Sequence, residues 1–331
     1  MTAERRRATI EDVASSAGVS RQTVSRAMNG KGEISPATRD RVLDAARRLN
    51  YRPSRFARGL VRQQVTTIGL LVTDLANPYF PQLASAVLAT AEQRGWQVVV
   101  SATHGDADRE LDLVDNLADQ VDALVGYLAA DDDAIAEHVR GLPVVLLQRD
   151  PDSTRFGAVA IDLESGTRQA VEHLVGAGHR DIAMLGSEGP DDVADVRRDA
   201  FRAVVRELGL DPARCPVHPC AQSVPDGERA AAAVLTAYPE TTALFAYSDL
   251  IAVGAIRAAV REGRQVPGSC AVVGFDGLPL GELVTPALTT VHIDTWRLGE
   301  LAVDQVARQL GEDNSGAAAV VVPRLLVRGS G

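Results

Sequence analysis

Between residues 67 and 274, short runs of β-branched and aliphatic residues alternate with longer amphipathic segments. No other feature constrains the fold as much, because this alternation is the signature of βα units wound around parallel sheets. Strands are predicted at 67–72, 97–102, 123–128, 144–147, 158–161, 182–185, 243–246 and 271–274. Helices are predicted between them at 82–94, 110–119, 164–177, 196–208, 227–237 and 250–262, with a last one at 297–310. Two successive sheets follow, and so two similar α/β lobes, the last helix crossing back towards the first.

Before residue 65 the pattern is different. Residues 1–64 hold 14 Lys+Arg against 6 Asp+Glu, a formal +8. The whole chain carries −10, so setting aside that +8 leaves about −18 on residues 65–331. A block this basic on a body this acidic gives one end of the molecule affinity for a polyanion. Nucleic acid is the first partner to consider.

Helix punctuation in this block is clear. Thr9 with Asp12 resembles a capping box, Asp replacing the usual Glu, and Ile10, Val13, Ala14 and Ala17 fall on one helical face. Gly18 stops that helix, Val19 supplies an apolar contact, and Ser20 caps a second helix carrying Val24, Ala27 and Met28. Ser35 and Pro36 open a third, with Val42, Leu43, Ala46 and Leu49 as its buried stripe. Three such helices make a compact head. The segment 51–62 starts extended at Arg52, before Pro53, and then has room for two helical turns. Gly59 weakens that helix by about 1 kcal/mol relative to alanine, so it forms only when something holds it.

With 331 residues, 46% of them hydrophobic, the chain can bury substantial cores in two or three domains. No apolar run approaches 18 residues and no apolar stretch follows the N-terminal arginines, so a cytoplasmic protein without a membrane partner is expected. Cys215, Cys220 and Cys270 lack the paired spacing of a zinc site and read as packing residues. No metal or cofactor is expected. An enzyme is not favoured either: there is no GxGxxG, P-loop, HExxH or GxSxG. The Asp131-Asp-Asp133 run reads as a solvated loop, and His179 as a helix terminator.

Two helices joined at a glycine suggest a helix-turn-helix, whose second helix enters the major groove with its N-terminal residues on base edges. Arg21, Gln22 and Arg26 are the candidate base readers, since arginine grips guanine O6/N7 and glutamine grips adenine N6/N7. Ser20, Thr23, Ser25 and Asn29 suit phosphate contacts that fix register. The plainer alternative is that Arg21 and Arg26 form a solvated basic face.

The stretches Thr9-Ile-Glu-Asp-Val-Ala, Ala17-Gly-Val-Ser20, Thr23-Val-Ser-Arg26, Asn29, Ser35-x-x-Thr38-Arg39, Val42, Ala45-Ala46 and Leu49-Asn-Tyr-x-Pro53 resemble the lac repressor (LacI) family of bacterial transcription regulators. That resemblance implies a hinge helix after Pro53 that folds on operator DNA. Carried over by position, Leu60 wedges into a base step of the minor groove, Ala57 packs there, and Arg55 and Arg58 border phosphates. The alternative is that Leu60 and Val61 dock on the first lobe.

The resemblance extends along the whole chain and implies a periplasmic-binding-protein-like body with a small molecule between two doubly wound α/β lobes. It rests on Asn77-Pro-Tyr-Phe80, Asp162 with Gly166, Arg197, Ser248-Asp249 and Val273-Gly-Phe-Asp276, among others. The implied division is a head at 1–51, a hinge and linker at 52–64 and an effector domain at 65–331. Its first lobe is 65–163 with 294–321, and its second 164–293 with 322–331.

Ligands of open α/β sheets bind at strand ends, so Asp74, Tyr79 and Phe80 line the expected cleft. Arg197 offers donors and Asp276 accepts from paired hydroxyls. Asp162, Ser248 and Asp249 join them by resemblance. Each has a plainer alternative: Tyr79 and Phe80 as core, Arg197 paired with Asp195 or Asp199, and Asp276 capping a turn before Gly277. The chain departs from the family at Gln222, where sugar binders often place an aromatic, at Ser248 in place of asparagine, and at Ile293 in place of glutamine. Trp296 compensates if it faces the cleft.

The expected protein is therefore a homodimeric repressor of a pseudo-palindromic operator, controlled by a sugar or sugar derivative. The alternative is a ligand-corepressed regulator, or an activator, responding to another metabolite. A dimer rather than a tetramer is expected because no leucine heptads follow the last strand. A transport-type binding protein would need a signal peptide and no basic head.

Overall fold

The computed structural model describes residues 10–29, 34–48, 65–139, 141–187, 191–311 and 319–331. The chain divides into two compact units, Met1–Val65 and Thr66–Gly331.

The first unit contains α1 (Ile10–Ala17), α2 (Arg21–Asn29) and α3 (Pro36–Arg48). Gly18, at φ +64°, turns the chain between α1 and α2. Ser20 Oγ accepts from Thr23 N at 3.1 Å and Ser35 Oγ from Thr38 N at 3.3 Å, so both serines cap the helices that follow them. The core holds Val13, Ala14, Ala17, Val24, Ala27, Val42, Ala45 and Ala46, with Val19 and Ile34 against it. Leu43 is only half-buried, and Ala45 takes the inward position expected of it. Thr9 and Leu49 lie outside the described residues.

The second unit has two sheets. The first runs in the order β11-β5-β4-β3-β1-β2, with β1 (Thr67–Val72), β2 (Gln97–Ala102), β3 (Ala123–Gly126), β4 (Val144–Leu147), β5 (Gly157–Ile161) and β11 (Ala319–Val321), all parallel. The second runs β12-β10-β9-β8-β6-β7, with β6 (Ile182–Ser187), β7 (Val217–Cys220), β8 (Ala243–Ala246), β9 (Ala271–Asp276), β10 (Thr289–His292) and β12 (Arg324–Leu326). Among the described strands, only β12 is antiparallel to its neighbour, β10. β1 and β9 are buried at every residue, as continuous apolar strands covered on both faces must be.

The helices packed on these sheets include α4 (Tyr79–Gln93), α5 (Ala107–Ala118), α6 (Asp132–Val139), α7 (Leu163–Gly176), α8 (Asp191–Glu207), α9 (Val224–Ala237), α10 (Asp249–Arg261) and α12 (Thr295–Gln309), with α11 (Leu280–Leu283) a single turn. α12 lies on α4 so closely that a Cβ on Gly299 would stand 2.7 Å from Ala86 Cβ. The α/β architecture read from the sequence is the one observed.

The Asp131–Asp133 run is solvated, with Asp131 and Asp133 exposed, but it starts a helix instead of forming a loop. Asp131 Oδ1 accepts from Ala134 N at 2.8 Å and opens α6, where acidic residues complement the positive end of the helix. Asp132 accepts from Thr154 Oγ1 at 2.6 Å and Arg155 N at 2.9 Å, which ties α6 to the chain after β4. The strands β7, β10, β11 and β12 also go beyond the sequence prediction; all are four residues or shorter, and β7 carries Pro219 on a sheet edge.

Candidate operator-reading head and effector cleft

In the head, burial of Val24 and Ala27 sets the orientation of α2 and leaves Arg21, Gln22 and Arg26 exposed. Ser25 is half-buried, and the Ser20 and Thr23 hydroxyls stand 2.9 Å apart. Arg21 Nη1 stands 3.4 Å from Glu11 Oε1 of α1. Asn29 ends α2, and its side chain lies outside the described residues, as do Arg55, Ala57, Arg58 and Leu60.

The second unit brings together two groups of side chains at strand ends. In the first lobe, Asp74 Oδ1 accepts from Ala76 N at 2.8 Å, and Asn77 Oδ1 accepts from Tyr79 N at 3.1 Å, so two side-chain turns lead the chain from β1 into α4. Tyr79 is thereby placed edge-on to Phe80, with ring centroids 5.2 Å apart, and to Tyr127 at 6.3 Å. Phe80 and Tyr127 are edge-on at 5.5 Å, and the two tyrosine hydroxyls are 2.6 Å apart. Burial pushes both phenols well above their ordinary value.

In the second lobe, Arg197 of α8 is 5% exposed. Its Nη1 donates to Tyr247 O at 2.6 Å, and its guanidinium lies 4.3 Å from the Tyr247 ring centroid and 4.0 Å from that of Phe275. Nη2 stands 3.8 Å from Asp276 Oδ1. Nε is buried and donates to no atom among the described residues. Asp276 ends β9 at φ +114°, a region that side chains rarely adopt. Burial, opposed by Arg197, raises its carboxyl above the ordinary range. Asp276 and Arg197 also act on Tyr79 and Tyr127, the carboxylate disfavouring and the guanidinium favouring their ionisation. The two groups share one electrostatic environment.

The remaining candidates play other parts. Asp162 Oδ1 caps α7 by accepting from Ser165 N at 2.9 Å, and Ser248 Oγ caps α10 by accepting from Ile251 N at 3.4 Å. Asp249 is fully buried, its carboxylate accepting from Leu278 N at 2.6 Å and Thr290 Oγ1 at 2.5 Å. It thereby fixes the turn after β9 that sets Asp276 in place. Gln222 is exposed between β7 and α9. Trp296 is 55% exposed in the first turn of α12, and Ile293 is buried. Asp199 lies beside Arg198 at 3.6 Å rather than pairing with Arg197; the side chain of Asp195 lies outside the described residues.

Sequence reading missed Tyr127, Tyr247 and Phe275. Tyr127 and Tyr247 each directly follow a strand, and Phe275 is the next-to-last residue of β9, so a scan of strand carboxyl ends for aromatics would have found them. Among the described residues no group of His, Cys, Asp and Glu is arranged to hold a metal ion, and no helix is long and apolar enough to cross a membrane.

The family profile described as "Bacterial regulatory proteins, lacI family" matches residues 9–54, and that of a periplasmic binding protein-like domain matches 171–331. The ribose operon repressor of Halalkalibacterium halodurans is 35% identical over 306 residues, covering 91% of this chain and 90% of that protein. The chain belongs to the LacI family. LacI-family relatives of known structure agree. The lac repressor dimer bound to operator and an anti-inducer superimposes with a TM-score of 0.74 at 31% identity, covering 98% of this chain and 99% of that one. A LacI-family regulator from Arthrobacter sp. FB24, in complex with lactose, gives 0.72 at 34% identity, covering 81% and 99%.

Proposed function

We propose that this LacI-family chain is a homodimeric transcriptional repressor that binds a pseudo-palindromic operator and is released from it by a sugar or sugar derivative held between its lobes. The arrangement of Arg197 beside Asp276, within electrostatic reach of the hydrogen-bonded Tyr79–Tyr127 pair, supports this assignment. Arg197 Nε and a phenol O–H are donors, Asp276 is an acceptor, and the aromatic edges supply an apolar wall. These are the groups that recognise a polyhydroxylated ring. Relatives named for ribose and solved with lactose support a sugar over other metabolites.

Residues 1–51 serve as the DNA-binding head and 52–64 as the hinge. Arg21, Gln22 and Arg26 read bases, Ser20, Thr23, Ser25 and Asn29 meet phosphates, Leu60 and Ala57 enter the minor groove, and Arg55 and Arg58 flank them. The effector domain spans 65–331. Tyr79, Phe80, Tyr127, Arg197 and Asp276 touch the effector, with Asp74 and Gln222 at its margin. Asp162, Ser248 and Asp249 position the elements around it. The protein binds and does not turn over its ligand, and it works beside the chromosome in the cytoplasm.

Control follows from differential affinity: a ligand that favours one arrangement of the lobes shifts the population of the DNA-binding state by the difference in its two binding energies. The test is a thermal-shift screen of ribose, lactose, cellobiose, nucleosides and small acids, followed by operator binding with and without any hit. A sugar that stabilises the protein and weakens operator binding supports induction. One that tightens operator binding replaces it with corepression, and stabilisation by nucleosides or acids alone removes the sugar assignment.

A further inference from the structure

Glu11 lies in the first turn of α1, and its Oε1 stands 3.4 Å from Nη1 of Arg21, the first residue of α2. The two side chains are 66% and 70% exposed, and an ion pair this exposed contributes little to stability. Its location is more telling. The carboxylate sits beside the side chain assigned to a base edge, on a segment whose +8 charge draws it to a polyanion. A negative charge there weakens attraction to every duplex alike, because it subtracts from the charge that displaces counterions.

What the carboxylate offers in exchange is geometry. A guanidinium carries five N–H donors in a planar fork. With Nη1 held by Glu11, the edge formed by Nε and Nη2 stays available for the paired acceptors O6 and N7 of guanine. Arginine is a long side chain with several rotatable bonds, and fixing it before binding removes part of the ordering cost of the complex.

We infer that Glu11 is a positioning residue for operator readout: its carboxylate braces Arg21 so that α2 selects guanine at one base pair of each half-site. The inference rests on Arg21 being a base reader. Removing the carboxylate moves two readouts in opposite directions, since discrimination falls while attraction to arbitrary DNA does not.

The experiment uses the full-length protein as wild type, Glu11→Gln, Glu11→Ala, Arg21→Ala and the double variant Glu11→Gln/Arg21→Ala. Each is put through selection from a random duplex library, then titrated with the selected duplex and an unrelated one at a single salt concentration. Both Glu11 variants are expected to bind the unrelated duplex at least as tightly as wild type, while the guanine preference at one position per half-site falls about fivefold or more. In the Arg21→Ala background, Glu11→Gln changes no base preference. The inference is overturned if Glu11→Gln alters affinity for all duplexes by one factor with the selected sequence unchanged. It is equally overturned if base preference changes as much without Arg21. A wild-type protein that selects no sequence overturns the DNA-reading assignment itself, and this inference with it.

Discussion

The hydroxyl oxygens of Tyr79 and Tyr127 stand 2.6 Å apart, one at the start of α4 and the other just past β3. Because burial pushes both phenols above their ordinary value, both are neutral, and one donates to the other. The accepting phenol keeps its own O–H for a further partner, with Arg197 and Asp276 close enough to influence it. The pair is therefore a directed donor, which a phenylalanine at either position would dismantle. Tyr127→Phe is expected to weaken effector binding by about 1 kcal/mol, roughly fivefold in Kd. Operator affinity without effector stays within about twofold, because the hydroxyl pair is far in sequence and function from the head. Titration calorimetry with the effector found by screening decides the point, and an unchanged Kd would remove Tyr127 from the site.

Arg197→Ala tests the opposite side of the cleft. The variant loses the donors to the effector and the guanidinium's contacts with Tyr247 and Phe275, so some loss of stability is expected as well. It is expected to bind operator with near-normal affinity at temperatures where it stays folded, and to show neither thermal stabilisation nor DNA release on adding effector. A variant that still responds would show that Arg197 only supports the fold through Tyr247 and Phe275.

How much of this was legible in the sequence depends on how local the signal is. Ser20 and Ser35 cap helices within three residues of themselves, so their roles could be read directly. β1 and β9 are continuous apolar runs and were equally plain. Pairings between distant segments were not. Nothing near Tyr127 announces a partner 48 residues away, and Asp249 looks like a ligand group until Leu278 and Thr290 are seen to occupy it. Three successive aspartates are polar enough to pass for a loop. Their use as a helix start becomes visible only when Thr154 and Arg155 are brought alongside.

The buried acids give the protein a pH dependence with a definite sign. Burial, opposed by Arg197, raises Asp276 to about 8, and burial raises Asp249 to about 7 despite its hydrogen bonds. In the unfolded chain both titrate near pH 4, about the ordinary aspartate value. Between these limits the folded chain binds more protons than the unfolded one, so stability is fullest below the unfolded pKa and is lost as pH rises through the folded values. Tm is expected to fall between about pH 5.5 and about pH 8.5, by less in Asp276→Asn, which cannot titrate. The general repulsion within an acidic chain pulls the same way, so the decisive quantity is the difference between the two slopes. Parallel slopes would mean that Asp276 titrates normally.

Two glycines make a paired test of packing. α9 and α10 approach so closely at Gly254 that an added Cβ would collide with the backbone of Val224, Gly227 and Glu228. Backbone cannot swing aside as a side chain can, so Gly254→Ala must spread the two helices. Its cost is about 1–3 kcal/mol, outweighing the gain in helix propensity. Gly176 closes α7 with nothing within 4 Å of a Cβ, and there alanine only restricts the unfolded chain, stabilising by about 0.5–1 kcal/mol. In a unit this large each kcal/mol moves Tm by about 2–4 °C, so calorimetry should find opposite shifts. If Gly254→Ala raised Tm as Gly176→Ala does, the helices would not be in contact at that glycine, and the tight α9–α10 packing would have to be abandoned.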